Sequence, residues 1–236
     1  DTWIADGTVV APITVRGYNV ALGDLDNLTG TNYRSGSGVG ALITTNYPYI
    51  QYTSGNRLNA SGSDDMILSC LRIGPQAAAT GYSGSIVSSS VTNGVIFRCS
   101  VINPSTNGSS AAATTNTALD CDFSVTAASG PTASVLTAYR AFGNHISDAV
   151  CNAININSNT GVAIANVIDN CSLDGIWFSS TSTASTPTIY GNTIYNCGGG
   201  TSGSRYGISI ADAAYTGLFI FANNHISNCG TAIYSR

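Results

Sequence analysis

Charge is scarce in this chain of 236 residues, with 8 basic and 12 acidic side chains, so any place where charges gather is a candidate for chemistry. One such place is Arg98 with the pair Asp120 and Asp122 and with His145. Two carboxylates beside a histidine and an arginine can perform general acid–base work on a glycosidic bond, or bind a cation. The plainer reading of the same residues is salt bridging at a surface. A second place is Gly62-Ser63-Asp64-Asp65, where two carboxylates share a glycine–serine loop; such pairs commonly serve as turn residues. The aromatics Trp177, Tyr195, Tyr206 and Tyr234 make a third set, since flat rings near amides and carboxylates suit stacking on sugars, although scattered exposed rings are also ordinary. The candidate catalytic residues are therefore Asp120, Asp122 and His145, and the candidate substrate-binding residues are Arg98, Trp177, Tyr195, Tyr206 and Tyr234.

Whether these residues meet depends on a repeat. One phrase recurs four times: Asn144-His145-Ile146-Ser147-Asp148, Asn166-Val167-Ile168-Asp169-Asn170-Cys171, Asn192-Thr193-Ile194-Tyr195-Asn196-Cys197 and Asn224-His225-Ile226-Ser227-Asn228-Cys229. Each is followed by a small residue and a short alternating apolar segment, as in Gly175-Ile176-Trp177-Phe178 and Gly207-Ile208-Ser209-Ile210. The core of the phrase is constant and only the length between phrases varies. A period in the twenties, alternation of period two and tolerated insertions together predict a solenoid of strand-built coils. Equivalent residues then lie one strand spacing apart, ~4.8 Å. Asn144, Asn166, Asn192 and Asn224 can pass amide hydrogen bonds from coil to coil, with the isoleucines two places later stacked inside.

Extending the register backwards places Cys121, Cys99 and Ser69 at the position of the leading asparagine. Two places before it lie Ile67, Phe97, Leu119, Phe142, Ile164, Tyr190 and Ala222, and two places after it Leu71, Val101, Phe123, Ile146, Ile168, Ile194 and Ile226. Strict alternation would turn both sets inward. The residues flanking the asparagine position would face outward, so Arg98, Asp120, Asp122 and His145 form one outward group on neighbouring coils. His145 and His225 share a column three coils apart, too far for a metal pair. Cys171, Cys197 and Cys229 share another column, and the seven cysteines read as small buried thiols.

Composition sharpens this. All basic residues are arginine, all acids are aspartate, and methionine occurs once, at Met66. The straight-chain helix formers are nearly absent, which removes amphipathic helices from consideration. The net charge of −4 with no basic stripe excludes an electrostatic nucleic-acid surface, and no apolar run is long enough for a membrane-spanning helix. The expectation is all-β: a single-stranded right-handed parallel β-helix of about nine coils at the strand spacing above, one domain over 1–236 with irregular first coils over 1–66 and regular coils over 67–236. Ser/Thr/Gly-rich segments at Gly74–Asn93, Asn103–Thr117, Ser179–Thr188 and Gly198–Arg205 read as loops emerging between coils. Neither end carries a capping element, so the chain reads as a piece of a longer one or as having its ends covered by partners.

On these phrases the chain resembles the right-handed parallel β-helices of the pectate-lyase-like superfold, shared by polysaccharide lyases, polygalacturonases and bacteriophage tailspikes. The resemblance covers Ile67 to Arg236. Gly62-Ser63-Asp64-Asp65 is similar to the polygalacturonase Gly-x-Asp-Asp element. That family's Gly-His-Gly is missing, however, and its Arg-x-Lys cannot exist in a chain without lysine. The calcium-binding acidic cluster of pectate lyases is also not visible. The resemblance therefore implies a fold more than an activity. The expected function is a structural and recognition rod of a virion, of tailspike or tail-fibre type, or of a cell surface. Its partners would be surface polysaccharide and further copies of itself, a trimer being one form, or flanking domains over the coil ends. No cofactor or metal is implied. The alternatives are a polysaccharide lyase or glycoside hydrolase and an architectural module assembling end to end. Unpaired cysteines suit assembly in a reducing compartment, and the missing catalytic signatures count against the enzyme.

Overall fold

The computed structural model describes residues 13–18, 42, 47–52, 58–59, 66–75, 87–89, 94–103, 111–125, 134–180, 184–198, 206–210 and 216–235. Among these every regular element is a strand, and every strand pairing is parallel. The strands form a 14-stranded and an 8-stranded sheet, an arrangement consistent with a parallel β-solenoid.

The larger sheet has two limbs joined by the long strands Ala111–Leu119 and Ser134–Phe142. The first limb runs from Ile13–Arg16 through Met66–Ser69, Val95–Phe97 and the C-terminal ends of the two long strands to Val162–Ile164, Thr188–Tyr190 and Ile220–Ala222. The second limb runs from Leu58–Asn59 and Val87–Ser89 through the N-terminal ends of the long strands, then Asn152–Ile156, Ile176–Phe178 and Tyr206–Ile210, to Thr231–Ser235. The smaller sheet stacks Tyr49–Tyr52, Arg72–Pro75, Ser100–Asn103, Asp122–Val125, His145–Ala149, Val167–Cys171, Thr193–Cys197 and His225–Ser227. Between the sheets lies one continuous core of isoleucines, small residues and thiols, with Phe123 and Phe178 its largest fully buried side chains.

The asparagines stack as the repeat predicts. Asn166 Oδ1 accepts from both the backbone N–H and the Nδ2 of Asn144, each at 3.0 Å. The pattern repeats from Asn166 to Asn192 and from Asn192 to Asn224. The second hydrogen of each amide goes to a backbone carbonyl of the preceding rung: Asn144 to Ala118, Asn166 to Ala141, Asn192 to Ala163 and Asn224 to Ile189. Every donor and acceptor of the Asn166 and Asn192 side chains is used, which is the condition for burying an amide. Below Asn144 cysteine takes over. The Cys121 thiol donates to Ile96 O and the Cys99 thiol to Leu68 O, at the matching register positions.

The structure corrects three expectations. Arg72 pairs with Ser100 and Ser69 with Phe97, so Leu71, not Ser69, occupies the asparagine position in that rung. Leu71 is buried, and alternation alone cannot tell registers two residues apart. Next, the residues two places before the asparagine do not face inward. Ile96, Ala118, Ala141, Ala163 and Ile189 are fully buried, whereas Leu119 and Tyr190 are 38% and 42% exposed. The cause is the residue between: Arg98, Asp120, Gly143, Ala165, Gly191 and Asn223 all adopt positive φ. One left-handed residue turns the chain through the corner and shifts the phase of the alternation across it. Finally, Ala111–Thr117 is not a loop but part of the strand Ala111–Leu119, paired along Ser134–Phe142. Its small side chains hid a strand that the neighbouring rung recruits.

Candidate functional site

The corner between the first limb and the smaller sheet positions the charged candidates. Arg98 and Asp120 each sit in the left-handed turn position of neighbouring rungs, with φ of 49° and 55°. Stacked in that way, Arg98 Nε donates to Asp120 Oδ2 at 3.3 Å, in a part-buried setting. Arg98 also lies over the ring of Phe97, 5.0 Å from its centroid. Past the turn, Asp122 and His145 open adjacent strands and are direct register partners. His145 Nδ1 and Asp122 Oδ1 are 2.7 Å apart. Asp120 and Asp122 are therefore not two outward residues of one strand, as alternation suggested. Cys121, on the buried column, and the turn at Asp120 separate them, and each carboxylate has its own basic partner.

The Asp122–His145 pair belongs to a column on the outer surface of the smaller sheet that also holds Tyr49, Arg72 and Ser100. Arg72 lies over the Tyr49 ring at 4.7 Å, and its Nε is buried without a hydrogen-bond partner. Higher on the column come Val167, Thr193 and His225, so the two histidines are separated by two intervening rungs. Among the described residues no group of three or more His, Cys, Asp or Glu side chains converges as a metal site. Gly62-Ser63-Asp64-Asp65 lies outside the described residues.

The aromatic candidates fall on two surfaces. Trp177 stands in a column of the second limb between Asn155 and Ser209, with Tyr234 next. Tyr206 stacks on Tyr234, with ring centroids 4.1 Å apart and planes 7° apart. Tyr195 is on the smaller sheet, 47% exposed, between Asp169 and Ser227. The structure thus brings together Tyr206 and Tyr234, puts Trp177 in their neighbourhood, and leaves Tyr195 on the sheet that carries Asp122 and His145.

Two further arrays were not singled out from the sequence. Asp148, Asn170, Asn196 and Asn228 form a second ladder at the opposite end of the same strands, all at positive φ. Asn170 Nδ2 donates to Asp148, Asn196 Nδ2 to Asn170 and Asn228 Nδ2 to Asn196. Its signal was present in the repeated phrase, which ends in Asn-Cys three times. The other array is buried. Asn152 Oδ1 accepts from Asp174 N at 3.0 Å, Asp174 Oδ1 accepts from Tyr206 N at 3.1 Å, and Asp174 Oδ2 accepts from the Ser209 hydroxyl. Burial pushes the Asp174 carboxyl up from its ordinary value, and the bonds from Ser209 and Tyr206 oppose that only in part.

All seven cysteines are free. Cys171 and Cys197 are register partners, with Cys229 continuing that stack. Burial pushes the thiols of Cys99 and Cys151 to about 12, and raises that of Cys171 as well.

Comparison with known protein families, curated proteins and solved structures finds no match for this chain.

Proposed function

We propose that the chain is a single-stranded right-handed parallel β-helix of about nine coils, at one coil per strand spacing of ~4.8 Å, with the pectate-lyase-like architecture of tailspike and tail-fibre rods. In this reading it is a structural and recognition element of a virion or cell surface that binds polysaccharide without cutting it. The observation that carries the reading is the outward column Tyr49, Arg72, Ser100, Asp122 and His145. It sets polar and aromatic groups at one strand spacing along a surface, a periodic array suited to a repeating polymer. The Arg72 guanidinium, half-buried over the Tyr49 ring, offers that polymer a charge-assisted donor.

The pairing of each carboxylate favours binding over cleavage. Asp120 is engaged by Arg98 and Asp122 by His145. A glycosidase of the usual kind needs one carboxyl kept protonated and the other free to attack or to activate water. The test combines glycan binding with a reducing-sugar and unsaturated-product assay over bacterial capsular and lipopolysaccharide glycans. Binding without products is expected, and Arg72→Ala should weaken it. Products that disappear in Asp122→Asn would replace this reading with a glycanase.

A further inference from the structure

We infer that the outer surface of the first limb, from Val95–Phe97 to Ile220–Ala222, is a docking face for a second copy of this chain. The left-handed corner turns outward the column that contains Phe97, Leu119, Phe142, Ile164 and Tyr190. Leu119, Tyr190 and, in the parallel column, Ile220 are 38%, 42% and 45% exposed, and the other three are half-buried. The strands of this limb over that span carry a single charge, Arg140. The equivalent column of the smaller sheet, by contrast, is mostly polar, holding Ser100, Asp122, His145, Val167, Thr193 and His225, of which Thr193 and His225 are exposed.

Isolated exposed apolar residues are ordinary, but a continuous stripe of them marks an interaction surface. At a strand spacing of ~4.8 Å the stripe is about 30 Å long, and with the parallel outward column, which mixes Val95, Val162 and Ile220 with Thr117, Arg140 and Thr188, the face is about 15 Å wide. That is about 500 Å² on each copy, so two copies facing each other bury about 1,000 Å² in total, the size at which specific association begins. The ridges also repeat at the strand spacing. Another solenoid has the same period and can interlock along the full length; a second copy has it by construction. The face is separate from the column assigned to glycan, so the inference stands or falls independently of that reading.

Sedimentation equilibrium of the full chain tests it. The wild type should be a dimer or larger. Leu119→Asp combined with Ile164→Asp should be monomeric with unchanged circular dichroism, and Thr193→Asp on the smaller sheet should leave assembly intact. If the double variant does not fold, Leu119→Cys, Ile164→Cys and Tyr190→Cys, each alone and in mixed pairs under mild oxidation with oxidised glutathione, should include a pairing that gives an inter-chain disulfide with glutathione released, whichever way the copies run. A wild type that stays monomeric, a folded double variant that still assembles, or failure of every such pairing to cross-link would overturn the inference. So would a monomer that binds neutral phospholipid vesicles through this face.

Discussion

Two ladders of four rungs occupy the same strands, four residues apart, and use the same side-chain chemistry. Asn144, Asn166, Asn192 and Asn224 form the inner one; Asp148, Asn170, Asn196 and Asn228 form the outer. Asn144, Asn166 and Asn192 are fully buried, and each amide there meets backbone groups as well as its neighbours. Asn170 and Asn228 are exposed, and the bonds between the outer rungs run from side chain to side chain. Water can replace any outer bond, and nothing can replace an inner one. The inner amides are therefore retained for their hydrogen bonds, whereas the outer asparagines serve mainly because asparagine tolerates the left-handed turn that all four outer residues adopt.

Breaking an inner rung should have the largest effect. Asn166→Leu removes partners from Asn144 N, Asn144 Nδ2, Ala141 O and Asn192 Oδ1. Leaving buried polar groups unpaired costs about 1–3 kcal/mol each, with partial relaxation, so a loss of about 3–5 kcal/mol is expected in denaturant unfolding. A loss under 1 kcal/mol would mean the inner ladder is no more valuable than the outer.

The Asn152–Asp174 array, in which a carboxylate stands where the ladders have amides, sharpens the comparison through pH. Burial holds the folded Asp174 carboxyl above its ordinary 3.8, so the folded protein binds that proton more tightly than the unfolded chain. The associated stability is fully present below the unfolded value and is lost as pH rises through the folded one. Asp174→Asn, which can still accept from Tyr206 N and donate to Ser209, should flatten that fall and leave the variant the more stable protein at neutral pH. Urea midpoints between pH 3 and 8 measure it; parallel curves for the two proteins would refute the buried-carboxylate account.

The outer ladder should respond to backbone conformation more than to lost amide bonds. Asn170→Val puts a β-branched residue at φ 58° and should cost about 1–2 kcal/mol. Asn196→Gly loses the same kind of amide but keeps the turn, and should stay within about 0.5 kcal/mol of wild type. At the inner corner Ala165, at φ 56° between the rungs of Gly143 and Gly191, offers the reverse change. Ala165→Gly should gain about 0.5 kcal/mol, the relief of left-handed strain outweighing the entropy of the freer unfolded chain. Thermal unfolding of the three variants side by side ranks them.

The repeated phrase carried most of the fold in plain view. The spacing of Asn144, Asn166, Asn192 and Asn224, with isoleucine two places on, sufficed to predict parallel strands in register and the inner ladder. The buried column Val101, Phe123, Ile146, Ile168 and Ile194 follows from the same reading, because no corner intervenes between it and the asparagine. The pairings Arg98–Asp120 and Asp122–His145 were legible for the same reason: residues at equal places in successive repeats must stack. Much less could be read where the repeat weakens, as in the rung of Leu71, and where residues are small, as in Ala111–Thr117.

What the amino acids determined by themselves was periodicity, and with it which residues stack in columns. Which side of the sheet each column faces was decided only in three dimensions. Alternation persists along a strand, but one residue at positive φ shifts its phase, and nothing in Arg98, Asp120 or Ala165 announces that conformation as Gly143 and Gly191 do. The phase shift turned Phe97, Leu119 and Tyr190 from expected core into surface, and split Asp120 from Asp122. Handedness at a corner comes from closing the backbone onto the neighbouring rung, a long-range constraint that leaves no mark on the local sequence.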